Sequence, residues 1–225
     1  RRGERGGGDI QWRPLEREIA DLFRRYRPGA KKGDGSKVNL QNHWAVRDPL
    51  RCTIVKGYKV THECFASPLN CLLDEDAPEW YCSAHQRDVV FGARYDAYAQ
   101  WPSGRSMYMN TEYTKEDIKK ALRWSIAASQ MEDPFSAVLV IPRFLMASYM
   151  DLLSHHNVHL VAKAERDTFS FMAPTHWEVG DRDPEGKNTA KWQVMVVEVA
   201  NLEGRELLKT PEAEDDIRAE ICRSG

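Results

Sequence analysis

The sequence of 225 residues predicts an α/β domain with a basic helical appendage at its amino end. Three observations carry that prediction. Residues 136–141 and 192–199 are almost continuously apolar, the pattern of strands covered on both faces by helices. Residues 114–130 show helical spacing behind a capping residue. Charge is unevenly divided: residues 1–60 hold 15 Lys and Arg against 7 Asp and Glu, leaving 17 against 27 in the remainder, although the net is only -2. A basic first quarter on an acidic body assigns polyanion contacts to the N-terminal segment. A solvated basic helix without specific contacts is the plainer alternative.

Along the chain, residues 1–8 form a Gly/Arg arm expected to gain order only against a partner. Pro14 opens an amphipathic helix. Leu15, Ile19, Leu22, Phe23 and Tyr26 recur on it at helical spacing, while Arg17, Arg24 and Arg25 occupy other faces. Pro28-Gly29 stops this helix, and residues 30–37, with Lys31 and Lys32, read as a flexible basic loop. Arg17, Arg24, Arg25, Lys31 and Lys32 are therefore the candidate contacts to a polyanion such as RNA. Residues 60–66 read as a strand entering the turn Ser67-Pro68-Leu69-Asn70. The helix over 114–130 begins at Thr114, has Asp117 three residues on, and spaces Ile118, Leu122 and Ile126 four apart. A buried strand over 136–141 ends at Pro142, residues 144–153 read as a helix, and 158–162 and 192–199 as two more strands. From Thr210-Pro211 through Cys222 runs a short acidic helix with proline in its first turn. The chain thus divides into an arm, helix and linker over 1–37, a main domain over 38–208, and a C-terminal acidic helix over 209–225.

Hydrophobic residues make up 42% and charged residues 29%, ordinary values for a folded globular chain. No apolar run approaches the roughly 18–20 residues of a spanning helix, so no membrane partner is expected. Five cysteines at irregular spacing argue against a secreted disulfide framework and for a reducing, intracellular compartment. The Arg-rich start without Met fits a trimmed organellar presequence, which points to mitochondria, with nucleus or cytoplasm as alternatives.

The segment Glu63-Cys64-Phe65-Ala66-Ser67-Pro68-Leu69-Asn70-Cys71 takes the reading further. It resembles a signature of the phosphorylated-CTD-interacting-factor family, methyltransferases that act on the exocyclic amine of the adenosine beside an mRNA cap. The likeness continues through Tyr81-Cys82-Ser83-Ala84, Phe91-Gly92 and Leu139-Val140-Ile141-Pro142, and ends in the apolar strand near 192–199. The resemblance implies a Rossmann-like methyltransferase fold that binds S-adenosylmethionine at the carboxyl ends of its strands, where open α/β sheets hold ligands. By the same likeness Glu63, Phe65, Ser67, Pro68 and Asn70 border the methyl donor. Phe65 and Ala66 read equally well as core, and Pro68 as a turn former.

The family's catalytic loop is Asn-Pro-Pro-Phe before a helix. Here that position reads Asn110-Thr111-Glu112-Tyr113, so the first residue is kept, an aromatic ends the loop, and both prolines are gone. An adenine amine is a poor nucleophile because its lone pair is delocalised into the ring. By the likeness, the Asn oxygen and a neighbouring carbonyl accept its two N–H bonds, and the aromatic ring stacks on the base. That is positioning and electrostatic preorganisation, in which small misplacements matter. Proline fixes its own φ and extends the residue before it, so losing both loosens the carbonyl. Glu112 adds a carboxylate that is unfavourable beside a base unless paired. The family's Phe-Gly-Ser-Arg-Gly becomes Phe91-Gly92-Ala93-Arg94-Tyr95, with a bulky ring where the second glycine allows close approach.

Other constellations are weaker. His62, Cys64, Cys71, Cys82 and His85 match no paired-ligand spacing, and His155, His156 and His159 lack the Glu of a zinc-binding helix, so no metal is expected. Trp101 and Trp177, in loops, are candidates for base stacking, whereas Trp192 reads as core. The favoured expectation is an RNA-binding protein of this fold that has lost catalysis and uses no cofactor. It would serve beside other proteins as a structural or assembly component of a ribonucleoprotein such as the mitochondrial ribosome. The alternative is an active S-adenosylmethionine-dependent RNA adenine amine methyltransferase, in which Asn110 and Tyr113 are catalytic. A subunit that activates a catalytic partner is a third reading.

Overall fold

A computed structural model describes residues 12–27, 45–46, 48–71, 79–169, 171–172 and 190–224. The arm over 1–8, the Pro28-Gly29 stop, the loop over 30–37 with Lys31 and Lys32, and Trp177 lie outside the described residues. The chain divides into two compact units, residues 1–40 and residues 41–225.

In the first unit, helix α1 (Trp12–Arg25) closes on Arg24 and Arg25, cations placed where the helix dipole favours them. Both pair with Asp21, at 3.2 and 2.5 Å. Arg17 and Arg24 are exposed and Arg25 is half-buried. Two of the three arginines expected to contact RNA therefore already share a carboxylate on their own helix.

The second unit is mixed α/β. In chain order its elements are β1 (Ala45–Val46), α2 (Asp48–Gly57), β2 (His62–Cys64), β3 (Trp80–Ser83), β4 (Arg94–Tyr95), β5 (Arg105–Met109) and α3 (Lys115–Ala128). There follow β6 (Phe135–Pro142), β7 (Val158–Ala164), β8 (Phe171–Met172), β9 (Val194–Ala200), α4 (Leu202–Leu207) and α5 (Ala213–Ser224). Seven strands form one sheet in the order β4-β3-β2-β5-β6-β9-β7, while β1 and β8 pair by themselves. The first five strands of that order run parallel, and β9 is antiparallel to both its neighbours. The chain builds outward from β2 to β4 and then returns to β2's other side with β5. That reversal is the switch point outside which open α/β sheets bind ligands.

The long apolar run of β6 follows from burial on both faces. Val138 and Val140 join a cluster with Ile54 and Tyr58 of the α2 region and Ile217 of α5. Ala137, Leu139 and Ile141 join another with Met107, Met109, and Ile118 and Leu122 of α3. The α3 start matches the predicted cap: Thr114 Oγ1 accepts the Asp117 N–H at 3.1 Å. At the other end of the sheet Asn201 caps α4 by accepting the Gly204 N–H at 2.8 Å, and Gly204 lies so close to the Phe135 carbonyl that an added Cβ would stand 2.0 Å from its oxygen.

Residues 144–153 correct the sequence reading. They form successive three-residue turns and a 3-10 segment (Met150–Ser154), not an α-helix. Ala147 bonds back to Phe144, Met150 to Ala147 and Leu152 to Tyr149, the tighter i to i+3 pattern. The cause is an anchor. Buried Tyr149 donates its hydroxyl to the Pro142 carbonyl at 2.5 Å and accepts the Phe144 N–H at 3.1 Å, tying the segment to the end of β6. Leu145 and Met146 consequently face outward. Trp192 precedes β9 and is half-buried against the core, its indole N–H without a partner among the described residues. No helix of the described residues is long and apolar enough to cross a membrane.

Candidate functional site

Strand β2 ends in the loop over 65–70 and β5 in the loop over 110–114. Because Cys64 is in register with Met109, both segments leave neighbouring strands at the same level, on the two sides of the switch point. Glu63, on β2, is buried opposite Tyr108. The Tyr108 hydroxyl is buried with no hydrogen bond among the described residues, and burial followed by the Glu63 charge pushes its pKa up.

Phe65 adopts φ 65°, a left-handed conformation that is a genuine outlier for a bulky residue. Its half-buried ring packs on the α3-side cluster and lies 5.2 Å from the Tyr98 ring. Residues 67–70 then close on themselves. Asn70 Oδ1 accepts both the Ser67 N–H at 2.7 Å and the Ser67 hydroxyl at 2.9 Å. Ser67 Oγ in turn accepts the Leu69 N–H at 3.2 Å, and the Ser67 carbonyl accepts those of Asn70 and Cys71. Ser67 is buried, and Pro68 and Asn70 are half-buried. Burial, with Glu63 next, pushes the Cys71 thiol up to about 12, so it stays protonated at neutral pH.

In the second loop Tyr113 donates its hydroxyl to Asn110 Oδ1 at 2.9 Å. Its ring meets Phe171 and Trp192 edge-on, with centroids 5.7 and 6.2 Å away, and packs against the α2-side core. Burial pushes its phenol well above the ordinary range, which keeps it a hydroxyl donor. Thr111 is buried, its hydroxyl donating to the Glu112 carbonyl at 3.4 Å, and Glu112 is half-buried.

The sequence reading missed the groups at the carboxyl end of β3. Where dinucleotide-binding sheets place a ribose-binding acid, this chain has Ser83, and its hydroxyl donates to the fully buried Asp88 carboxylate at 2.5 Å. Asp96, at φ 56°, accepts the Tyr98 N–H at 3.0 Å. No periodicity marks these residues, and only their place after a short strand identifies them. Tyr95, expected where a glycine allows close approach, lies on edge strand β4 with about half its surface (49%) exposed. His155 and His156 stack on each other at 4.3 Å, and Trp101 is exposed in its loop. Among the described residues no three His, Cys, Asp or Glu side chains are grouped so as to hold a metal ion.

A mostly parallel sheet with its chain reversal between β2 and β5, and polar loops at the carboxyl ends of those strands, is that of a Rossmann-like α/β protein, a class that binds ligands outside the switch point. The chain belongs to the family described as Phosphorylated CTD interacting factor 1 WW domain, which it matches over residues 9–170. Sheet and family together place it among methyltransferase-like proteins. No curated protein matches the chain.

Proposed function

We propose that this chain is a methyltransferase-like RNA-associated protein whose crevice does not catalyse methyl transfer. One observation carries the reading: the Tyr113 hydroxyl occupies Asn110 Oδ1. In the family's loop that oxygen accepts an adenine N–H, and the terminal aromatic, a Phe without a hydroxyl, stacks on the base. Here the aromatic is a Tyr that bonds to the Asn and packs its ring on Phe171 and Trp192. An amide oxygen has two lone pairs, so one acceptor direction of Asn110 is spent inside the protein.

Two of the residues that would border S-adenosylmethionine, Ser67 and Asn70, are committed in the same way, and so is Ser83 beside them. Ser67 gives its amide and its hydroxyl to Asn70, both lone pairs of Asn70 Oδ1 are thereby filled, and Ser83 is turned to Asp88. Ser67, Asn70 and Ser83 thus hold their own turns and do not fit the polar groups of the methyl donor. We extend the proposal to a structural or assembly role in a ribonucleoprotein containing other proteins. Cell fractionation tests the mitochondrial ribosome as that particle.

The deciding experiment is calorimetry of the full chain with S-adenosylmethionine, followed by a methyl-transfer assay on an adenosine-containing RNA. We expect no binding heat and no transferred methyl group. Saturable binding with transfer that Asn110→Ala abolishes would establish the active enzyme instead.

A further inference from the structure

Outside the crevice, one face of α3 carries a second constellation. Tyr98, Glu116, Lys119, Lys120, Arg123 and Trp124 line an open cleft of about 480 Å³, a volume typical of small-ligand sites. Its floor is aromatic. Tyr98 and Trp124 meet edge to face with centroids 6.1 Å apart, and the Trp124 indole N–H donates to the Tyr98 backbone carbonyl at 3.2 Å, which orients the indole.

The rim is cationic. Lys119, Lys120 and Arg123 form no ion pair among the described residues. Glu116 stands three and four residues before the two lysines, the spacing at which helical ion pairs form. Lys120 nevertheless places its Nζ over the Tyr98 ring at 3.9 Å. Several cations elsewhere in this unit are paired: Lys209 with Glu198 and Glu214, Arg218 with Glu214 and Asp215, and Arg223 with Glu220. Three cations without ion pairs among the described residues, gathered on one helix face beside an aromatic floor, suit a ligand that is both flat and anionic.

We infer that this cleft docks a single-stranded RNA, with one base on Tyr98 and Trp124 and its flanking phosphates on Lys119, Lys120 and Arg123. Aromatic faces accept any base, and the cations track the backbone. A base entering the cleft takes Lys120's place on the Tyr98 ring and leaves that ammonium for a phosphate. An acidic peptide would satisfy the rim and leave the floor without a flat partner. Tyr98 also touches Phe65, so the bound strand passes beside the loop over 65–70. The inference takes from the proposed function only the choice of RNA, and it holds whether or not the crevice is catalytic.

Fluorescence anisotropy of the full chain with a labelled single strand of about twelve nucleotides tests it across a salt series. Lys119→Gln, Lys120→Gln and Arg123→Gln together should weaken binding about tenfold or more. Because single strands release about 0.7 counterions per neutralised phosphate, the log–log salt slope should shrink by roughly 2. The three side chains lie at the surface or half-buried, so the variant should stay folded, its melting point lowered only slightly by loss of the Lys120–Tyr98 contact. Tyr98→Leu keeps apolar bulk but removes the stacking face. It should weaken binding about fivefold at an unaltered salt slope.

Unchanged affinity in the α3 triple variant, with binding lost in Arg17→Gln, Arg24→Gln, Arg25→Gln, overturns this cleft and leaves the RNA-associated reading intact. No binding by the unaltered chain at low salt overturns both. Polyglutamate competing as well as unlabelled RNA makes an acidic protein segment the occupant and overturns the choice of RNA.

Discussion

The bond between Tyr113 and Asn110 can be weighed by a double-mutant cycle. Tyr113→Phe removes one oxygen and frees a half-exposed Asn110 to meet water. The loss is that of a single neutral hydrogen bond, about 1 kcal/mol. Asn110→Ala is the harsher change, because it strands a phenol in the core beside a Tyr108 hydroxyl that already lacks a partner. Leaving such a group unsatisfied costs about 1–3 kcal/mol. The double variant removes donor and acceptor together, so its loss should fall short of the sum of the singles by about 1 kcal/mol. Urea unfolding followed by circular dichroism, with the slope m shared among the four proteins, reads this coupling. For a chain of this size 1 kcal/mol corresponds to a melting shift of about 2–4 °C, so thermal melts give a second reading. Strict additivity would refute the bond, and with it the reason for calling Asn110 occupied.

Three further outcomes follow from the packing. Gly204→Ala drives a Cβ into the Phe135 carbonyl, a backbone atom that cannot step aside, and should cost about 3 kcal/mol in urea unfolding; a variant as stable as the parent would contradict that close approach. Asp88→Ala removes the buried acceptor of the Ser83 hydroxyl and should lower stability by about 1–3 kcal/mol, whereas an unshifted urea midpoint would mean that the hydroxyl turns to another acceptor. Burial, then the Arg105 and Arg94 charges, holds the His62 imidazole down at about 3 against an ordinary 6.5, so it is neutral in the fold. Below about pH 6.5 the unfolded chain binds a proton that the folded chain refuses. Stability should therefore fall by about 1.4 kcal/mol per pH unit down to about pH 3. His62→Gln should flatten that acid limb in urea titrations between about pH 7 and 4.5; an equally steep decline assigns the acid sensitivity to other groups.

The parts of the fold that were legible in the sequence are those whose signal is local. Strands β6 and β9 declare themselves because both faces are buried, and α3 does so through Thr114 and Asp117. Helix α2 went unread because its buried residues, Leu50, Ile54 and Val55, form too short a pattern to stand out. Strands β3, β4 and β5 were missed for a different reason: Trp80–Ser83 and Arg94–Tyr95 are short, and the central Ser106 carries a hydroxyl that donates to the Tyr58 carbonyl. The apolar stretch over 144–153 has helical composition, yet Tyr149's bonds to the end of β6 override it. For the site, the residue types at the loops could be read, but their commitments could not. That the Tyr113 oxygen reaches Asn110, or that Tyr98 reaches α3, depends on tertiary placement.

Strand β9 is made last among the strands yet lies between β6 and β7. During synthesis the five parallel strands have all emerged with Pro142, although Tyr113 in the loop after β5 waits for Phe171 and Trp192 before that half of the sheet is packed. Its outer margin, the Val138–Val140 region, nonetheless stays an open ladder until Val194–Ala200 arrive. For that interval the nascent chain carries the bare, strongly apolar border of β6, able to recruit a foreign strand. Closure of this sheet thus waits for β9, and its yield should depend on how well chaperones guard that seam.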